Sequence, residues 1–189
     1  FDFVRGVLSD VPTKKVEPRS DLDLPQDPNG PLFTTVVDIQ SGVVPQDTDV
    51  LLSGLVVSGL DNNGVYAQQG AGPYTGLYLY LGSDYTTTWG SVAVGDEVSV
   101  RGTYVEYITT TEISLVGVAN ASFSNQGYVG EPVPWYLSAT DLTTSPSQYE
   151  GVLIEVYPGN GATVFAMFEA DRGFNEFSVT DGANTVIID

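Results

Sequence analysis

The 189-residue sequence contains no histidine and no cysteine, and only six lysines and arginines stand against 24 aspartates and glutamates. Without histidine and cysteine the chain cannot form a Ser-His-Asp or Cys-His nucleophile, a zinc site with the usual ligands, an iron–sulfur site or a thiol redox centre. Any bound metal must use oxygen ligands, which makes calcium or magnesium the candidate. These absences predict a protein that is not an enzyme, with a hydrolase as a distant third hypothesis, and no cofactor, calcium being the one open candidate.

The shortage of bases gives a formal net charge of -18 at pH 7. This charge repels polyphosphate and argues against nucleic acid as a partner. No apolar run reaches the roughly 20 residues of a membrane span, so none is predicted. The chain begins at Phe1 without an initiator methionine or a signal peptide, and we expect a processed chain or a piece of a longer one. Few bases and many Thr, Ser, Asn, Gly and Tyr indicate an extracellular or cell-surface protein.

Apolar residues alternate or run in short blocks between Gly, Pro, Asn and Asp, which predicts an all-β protein. Strands are predicted at 49–58, 64–69, 76–82, 96–107 and 110–118, and in a second β region at 152–157, 163–169, 176–180 and 185–188. The turn at residues 60–64 is typical of a hairpin, because Asn and Gly accept positive φ values. Residues expected inside the first region are Val56, Leu77, Leu79, Val98, Val100 and Ile113.

Five short strands with a long, glycine-containing first strand predict an OB-like Greek-key barrel. The second region has fewer strands, which predicts a second OB-like barrel that is incomplete or permuted. The predicted parts are an N-terminal arm with candidate donor strands (1–31), the first barrel (32–118), a linker with one extended segment (119–144) and the second, incomplete barrel (145–189).

Segments 34–59, 65–69, 74–78 and 94–102 resemble the OB-fold modules that precede the catalytic domain in secreted bacterial nucleases of the endonuclease/exonuclease/phosphatase type. Segments 149–154 and 174–182 resemble the opening of the second module in those proteins. The closing signature of that module, G-V-L followed by P-R-S and D-L, occurs here at residues 6–8 and 18–22, ahead of the first barrel. The sequence contains no nuclease catalytic domain, so the resemblance implies OB-fold modules without the family's activity.

Residues 1–16 are predicted to be the missing strands of the second barrel. Residues 1–19 hold four of the six bases and carry +1, whereas the rest of the chain carries -19, so electrostatic attraction favours docking of this arm. Docking into the same chain gives a permuted barrel, and docking into a neighbour gives a head-to-tail polymer by strand complementation. The leading hypothesis is such a structural subunit, a homopolymer. The assembly residues are Phe1, Phe3, Val4, Arg5, Val7, Leu8 and Val11.

The alternative hypothesis is an accessory OB-fold module of a secreted hydrolase that binds nucleic acid or glycan. Tyr78, Tyr80 and Trp89 are its candidate ligand face, because OB barrels bind oligomers through exposed aromatic rings. Glycan is the more compatible ligand, since Arg101 is the sole base nearby. The competing interpretation is that these rings pack in the core.

Asp21, Asp23 and Asp27 place carboxylates at alternating positions that suit a calcium loop. The prolines in this segment do not fit an EF-hand, and they favour a solvated turn as the competing interpretation. The sequence therefore gives calcium one candidate site, in the arm.

Overall fold

The structure is a computed structural model that describes residues 7–9, 15–17, 30–157, 165–167, 177–180 and 184–188, with side chains for residues 30–156 and Asn184. The first strands and helices are β1 (Val7–Ser9), β2 (Lys15–Glu17), β3 (Leu32–Phe33), α1 (Val36–Gln40), β4 (Asp49–Leu60), β5 (Gly64–Gln68), β6 (Gly76–Tyr80), α2 (Tyr85–Thr88), β7 (Asp96–Tyr107) and β8 (Thr110–Ser114). They are followed by β9 (Ser122–Tyr128), β10 (Trp135–Ser138), α3 (Ala139–Thr144), a 3-10 turn (Pro146–Tyr149), β11 (Ile154–Tyr157), β12 (Phe165–Met167), β13 (Phe177–Thr180) and β14 (Thr185–Ile188). Within these ranges no helix has the length and apolar character needed to cross a membrane.

β4, β5, β6, β8 and β7 form a closed barrel, because β7 pairs with β4 as well as with β8. Neighbouring strands are antiparallel except β6 and β8, which are parallel. Counted along the chain, the five strands follow the order 1-2-3-5-4-1 around the barrel, which is an OB-like Greek-key topology. The all-β class and the first OB-like barrel are confirmed.

Aliphatic side chains from alternate strand positions fill the barrel. Leu77, Leu79, Val98, Val100 and Ile113 are all 0% exposed, as predicted. The short helices contribute to the same core through Val36 and Ile39 of α1 and Tyr85 of α2. The Gln40 side-chain amide donates to the Gly76 carbonyl at 2.7 Å, which fixes α1 at the end of the barrel where β6 begins.

Val56 was predicted to lie inside, and this prediction is wrong: Val56 is only partly buried and lines an outer cavity. The register between β4 and β7 shifts between Leu52 and Leu55. Gly54 in this bulge has a φ of 68°, a left-handed conformation that costs glycine little. The extra residue reverses the alternation, so Leu55 and Val57 point inward and Val56 points outward.

The remaining strands lie around the barrel or follow it. β9 runs antiparallel to β7 and extends the barrel sheet, together with β3, to seven strands. The predicted linker 119–144 therefore contributes β9 to the first barrel, and β10 and α3 to the second region. β10 and β11 form a parallel pair, β12 to β14 an antiparallel sheet, and β1 and β2 an antiparallel hairpin. Closure of a second barrel stays a prediction.

Both β regions open with the same local unit, a short strand, a short capped helix and a strand parallel to the first. Thr35 Oγ1 accepts a hydrogen bond from the Asp38 amide at 3.1 Å, and Ser138 Oγ accepts one from the Asp141 amide at 3.1 Å. Each hydroxyl donates back to the aspartate at 2.7 Å. Such caps satisfy amides that the first helical turn leaves unpaired.

Candidate functional site

The outward face of β4 and β5 carries two neighbouring cavities. Along this ladder Val56 pairs with Gln68, and Gly59 pairs with Tyr66. One cavity, of about 340 Å³, lies at the first pair and is called the Val56 cavity. The other, of about 270 Å³, lies at the second pair and is called the Tyr66 cavity. Two residues on β5 and three on β4 separate them, or about 7 to 10 Å, so an extended ligand that follows the strands can reach both.

The Tyr66 cavity lies between the first barrel and the start of the second β region. Its lining residues are Ser58, Gly59, Tyr66, Gly151, Val152 and Leu153, none of which is charged. Tyr66 is 42% exposed. Its ring lies against that of Tyr78, with the centroids 5.0 Å apart and the planes inclined by 55°. The cavity thus presents an aromatic ring supported from behind by a second ring.

Tyr78 fixes the supporting ring to the β4–β5 hairpin. It is 7% exposed, and its hydroxyl donates to Asp61 Oδ2 at 2.8 Å. This hydrogen bond lowers the pKa of Asp61 below its usual value. Burial, together with the Asp61 carboxylate, raises the pKa of Tyr78. At neutral pH the pair therefore consists of an ionised acceptor and a protonated donor, which is a strong form of hydrogen bond.

The Val56 cavity is mainly apolar. It is lined by Val56, Gln68, Gly70, Ala71 and residues 129–133. Glu131 is the one charged residue of this lining. The Gln68 side chain is buried and bonded at both ends, since its amide donates to the Gly70 carbonyl at 2.7 Å and its oxygen accepts from the Leu153 amide at 2.9 Å. Gln68 therefore shapes the groove and anchors Leu153 at the boundary between the two cavities.

Residues 148–153 hold the second β region against the barrel, and Glu150 is central to the contact. The Tyr74 amide donates to the Gln148 carbonyl at 2.6 Å. The Thr111 amide donates to Glu150 Oε1, and the Thr111 hydroxyl lies 3.5 Å from Glu150 Oε2. Burial raises the pKa of Glu150 against the lowering effect of the Thr111 hydrogen bonds, and the nearby Glu106 carboxylate raises it further. The contact is therefore tight but includes an electrostatic cost.

The part of the chain that forms both cavities is poor in bases. Arg101 is the one basic residue between positions 30 and 157. Its guanidinium lies 2.7 Å from an Asp49 carboxylate oxygen, so its charge is already matched. Anionic ligands, including nucleic acid and sulfated or uronic-acid glycans, would meet repulsion here without a compensating cation. The site favours a neutral or cationic ligand.

The structure brings together two of the three predicted aromatic residues. Tyr78 and Tyr80 lie two residues apart on β6, so they share a side of the strand. Trp89 is not part of that face: it packs against the barrel core, and its indole N–H donates to the Leu81 carbonyl at 3.2 Å. Tyr78 is covered, and the exposed ring is Tyr66. Sequence reasoning missed Tyr66 as part of this face; the available signal was that Tyr66 and Tyr78 lie on consecutive predicted strands, which the structure pairs directly.

Most of the other predicted site residues lie outside the ranges that the structure describes. Val7 and Leu8 lie in β1, where they pair with Glu17 and Val16 of β2. The residues outside the described ranges are Asp21, Asp23 and Asp27 of the calcium prediction and Phe1, Phe3, Val4, Arg5 and Val11 of the assembly arm. In the described part of the chain, no group of three or more acidic residues is arranged to hold a metal ion.

No protein-family model matches the sequence, and no curated protein matches it significantly. Among solved structures, the hypothetical protein YgiW from E. coli is similar to 52% of this chain and is covered over 92% of its own length. The identity is 20% and the TM-score 0.37, a likeness too weak to carry a functional inference.

Proposed function

We propose that this chain is a non-catalytic carbohydrate-binding module, an accessory unit of a secreted hydrolase. The observation that carries the proposal is the exposed Tyr66 ring, supported by Tyr78, in a cavity whose lining residues are uncharged. Aromatic rings stack on the apolar faces of sugar rings, and OB barrels are known to bind oligosaccharides on their outer strands. An extracellular or cell-surface location, where glycans occur, belongs to the proposal.

The shape of the site favours an oligosaccharide over a single small molecule. The Val56 and Tyr66 cavities adjoin along the same pair of strands, at volumes of about 340 and 270 Å³. Each is at or below the lower end of the size range of small-molecule pockets, so each accommodates about one sugar ring. A linear chain of sugars along β4 and β5 fills both and leaves its hydroxyls toward solvent.

Electrostatics favour a neutral glycan. The single base of residues 30–157, Arg101, is paired with Asp49, and the net charge of the chain is -18. Single-stranded DNA and heparin-like oligosaccharides would be repelled at low salt, where charge effects are largest.

The test is isothermal titration calorimetry of the full chain with cellohexaose, xylohexaose, chitohexaose, a heparin hexasaccharide and a short oligothymidylate. We expect binding of at least one neutral hexasaccharide and none of either polyanion. Tyr66→Ala should weaken that binding about tenfold or more, equivalent to about 1.4 kcal/mol. Tyr107→Ala is the matched control, because Tyr107 is 60% exposed at the end of β7 and lines neither cavity. Absence of saccharide binding, or equal binding by Tyr66→Ala, overturns the proposal.

Head-to-tail assembly is the second candidate function, and one observation favours it. Within the described residues β1 and β2 pair only with each other, and β12 to β14 form a separate three-stranded sheet. A lone two-stranded hairpin is marginally stable in water, and open strand edges attract further strands. If β1 and β2 dock on a neighbour, analytical ultracentrifugation should show concentration-dependent polymers that disappear when residues 1–16 are deleted. A monomer at all concentrations would exclude assembly.

A further inference from the structure

The cavity that contains Tyr66 has two walls from distant parts of the chain. The barrel supplies Ser58, Gly59 and Tyr66, and the opposite wall is formed by residues 151–153. We propose that the carbohydrate site is composite, so that the ligand binds only when residues 148–153 are docked on the first barrel. This inference rests on the proposed function and adds positioning residues outside the barrel to it.

Two glycines allow this docking. The backbones of Gly76 in β6 and Gly151 approach so closely that a Cβ on Gly151 would lie 2.5 Å from the Leu77 amide nitrogen. A Cβ on Gly76 would overlap the Gly151 carbonyl group, and its three nearest atoms all belong to Gly151 and Val152. Gly76 itself sits in a regular strand pairing with Gln68. The absence of a side chain at Gly76 is therefore needed for the contact with the second β region. The barrel strand itself does not require a glycine at this position.

Specific hydrogen bonds set the position of the wall. Glu150 accepts from the Thr111 amide, and the Leu153 amide donates to the buried Gln68 side chain at 2.9 Å. These two contacts bracket Gly151 and Val152, which line the cavity. Because the same segment both docks and lines the cavity, ligand binding and docking must stabilise each other to the same extent.

The experiment uses the full chain with Gly76→Ala. The added methyl group should displace residues 148–153 and leave the barrel folded, which far-ultraviolet circular dichroism checks. The first measurement needs no ligand: it is the rate of Tyr66 nitration by tetranitromethane, mapped by mass spectrometry, with Tyr107 as the internal reference. The second is the affinity for the neutral hexasaccharide that the wild type binds. We expect Tyr66 nitration to rise severalfold and the affinity to fall about tenfold.

A second set of variants serves if Gly76→Ala does not fold. Glu150→Ala removes the acceptor for the Thr111 amide and should change both measurements in the same direction. Glu150→Gln keeps a side-chain oxygen that accepts this hydrogen bond and should restore wild-type behaviour. Glu155→Ala is the control, since Glu155 is exposed on β11 and lines neither cavity.

The outcomes separate the two proposals. Unchanged nitration of Tyr66 in the displaced variants, or an affinity equal to that of the wild type, overturns the composite site. A rise in nitration in a chain whose wild type binds no saccharide overturns the carbohydrate function, and with it the composite site as a ligand site. A rise in nitration with a fall in affinity supports both.

Discussion

The two β regions begin with the same unit and continue differently. In the first, α1 buries Val36 and Ile39 almost completely, at 0% and 1% exposure. In the second, the one buried residue of α3 is Ala139. The two N-caps have the same hydrogen-bond lengths, 3.1 Å from the amide and 2.7 Å to the aspartate. Local capping therefore sets where each helix starts, whereas its burial depends on what lies against it.

What lies against α1 is a closed barrel. β4 continues for 12 residues through a bulge and pairs with β5 on one side and β7 on the other. β11 is described over four residues and pairs with β10. This difference indicates that the strand–helix–strand unit is not stable by itself, because isolated short elements bury too little apolar surface. It becomes stable when later strands pack against it.

The largest expected effect separates the two regions directly. Val100→Asp places a charge in the barrel interior, where Val100 is 0% exposed, and should cost about 3 kcal/mol or more. Val156→Asp in β11, where the side chain is half-buried, should cost about 1 kcal/mol. Urea unfolding at pH 7 measures both, and Ser99→Asp on the outward side of β7 is the control. Equal losses of unfolding free energy for the Val100 and Val156 substitutions would contradict the contrast between the closed barrel and the second β region.

An intermediate effect is expected from removing the caps. Thr35→Ala should lower the free energy of unfolding by about 1–2 kcal/mol, and Ser138→Ala should lower it by about 0.5 kcal/mol. The first loss is larger because Thr35 caps a helix that fills the core, whereas the helix capped by Ser138 does not. Thermal unfolding of both variants measures the difference. Thr86→Ala on the exposed surface of α2 should have little effect. A larger loss of stability for Ser138→Ala than for Thr35→Ala would contradict this difference between the two regions.

The smallest effect concerns the pH dependence of the contact between the regions. Burial raises the pKa of Glu150 above its usual 4.5, so the folded state favours the protonated form. The stabilising contribution of this proton is fully present below about pH 4.5 and is lost as the pH rises through the raised pKa. The Glu106 carboxylate is the charged group that acts on Glu150, and it raises the pKa of Glu150 further.

Glu150→Gln should therefore flatten the pH dependence of the melting temperature above about pH 4.5 and leave the melting temperature at pH 7 equal or slightly higher. Melting curves between about pH 4 and pH 8 provide the measurement. Glu155→Gln should retain the wild-type pH profile. A melting temperature of Glu150→Gln that falls at pH 7 by several degrees would show that the charge itself stabilises the contact.

Much of the first barrel could be predicted from alternation and turn residues. The strands around Val98 and Val100 and the hairpin at residues 60–64 follow from local sequence, and the structure confirms them. Val56 was assigned to the wrong face because a bulge at Gly54 changes the parity of β4. A glycine in a strand pattern signals a bulge without giving the position at which the alternation reverses.

The candidate site was less predictable, because it combines residues that are distant in the chain. Gln68 and Leu153 are joined by a hydrogen bond across 85 positions, and no local pattern indicates that contact. Trp89 appeared suitable as a ligand residue by its type, yet its position after α2 places it against the core. Tyr66 and Tyr78 lie on consecutive predicted strands, but the loop of residues 69–75 between β5 and β6 does not set their register from local sequence, so the structure was needed to show the pair.

The seam between β4 and β7 governs how fast the barrel can form. Asp49 pairs with Thr103 and Val56 with Glu97, so closure joins parts of the chain that are about 40 to 55 residues apart. The β4–β5 and β5–β6 hairpins form in microseconds, whereas topologies rich in such distant pairs fold in milliseconds to seconds. During that interval the edges of β4 and β7 are open to other chains. Mutual repulsion between molecules with a net charge of -18 slows their encounter and protects the unfinished barrel from aggregation.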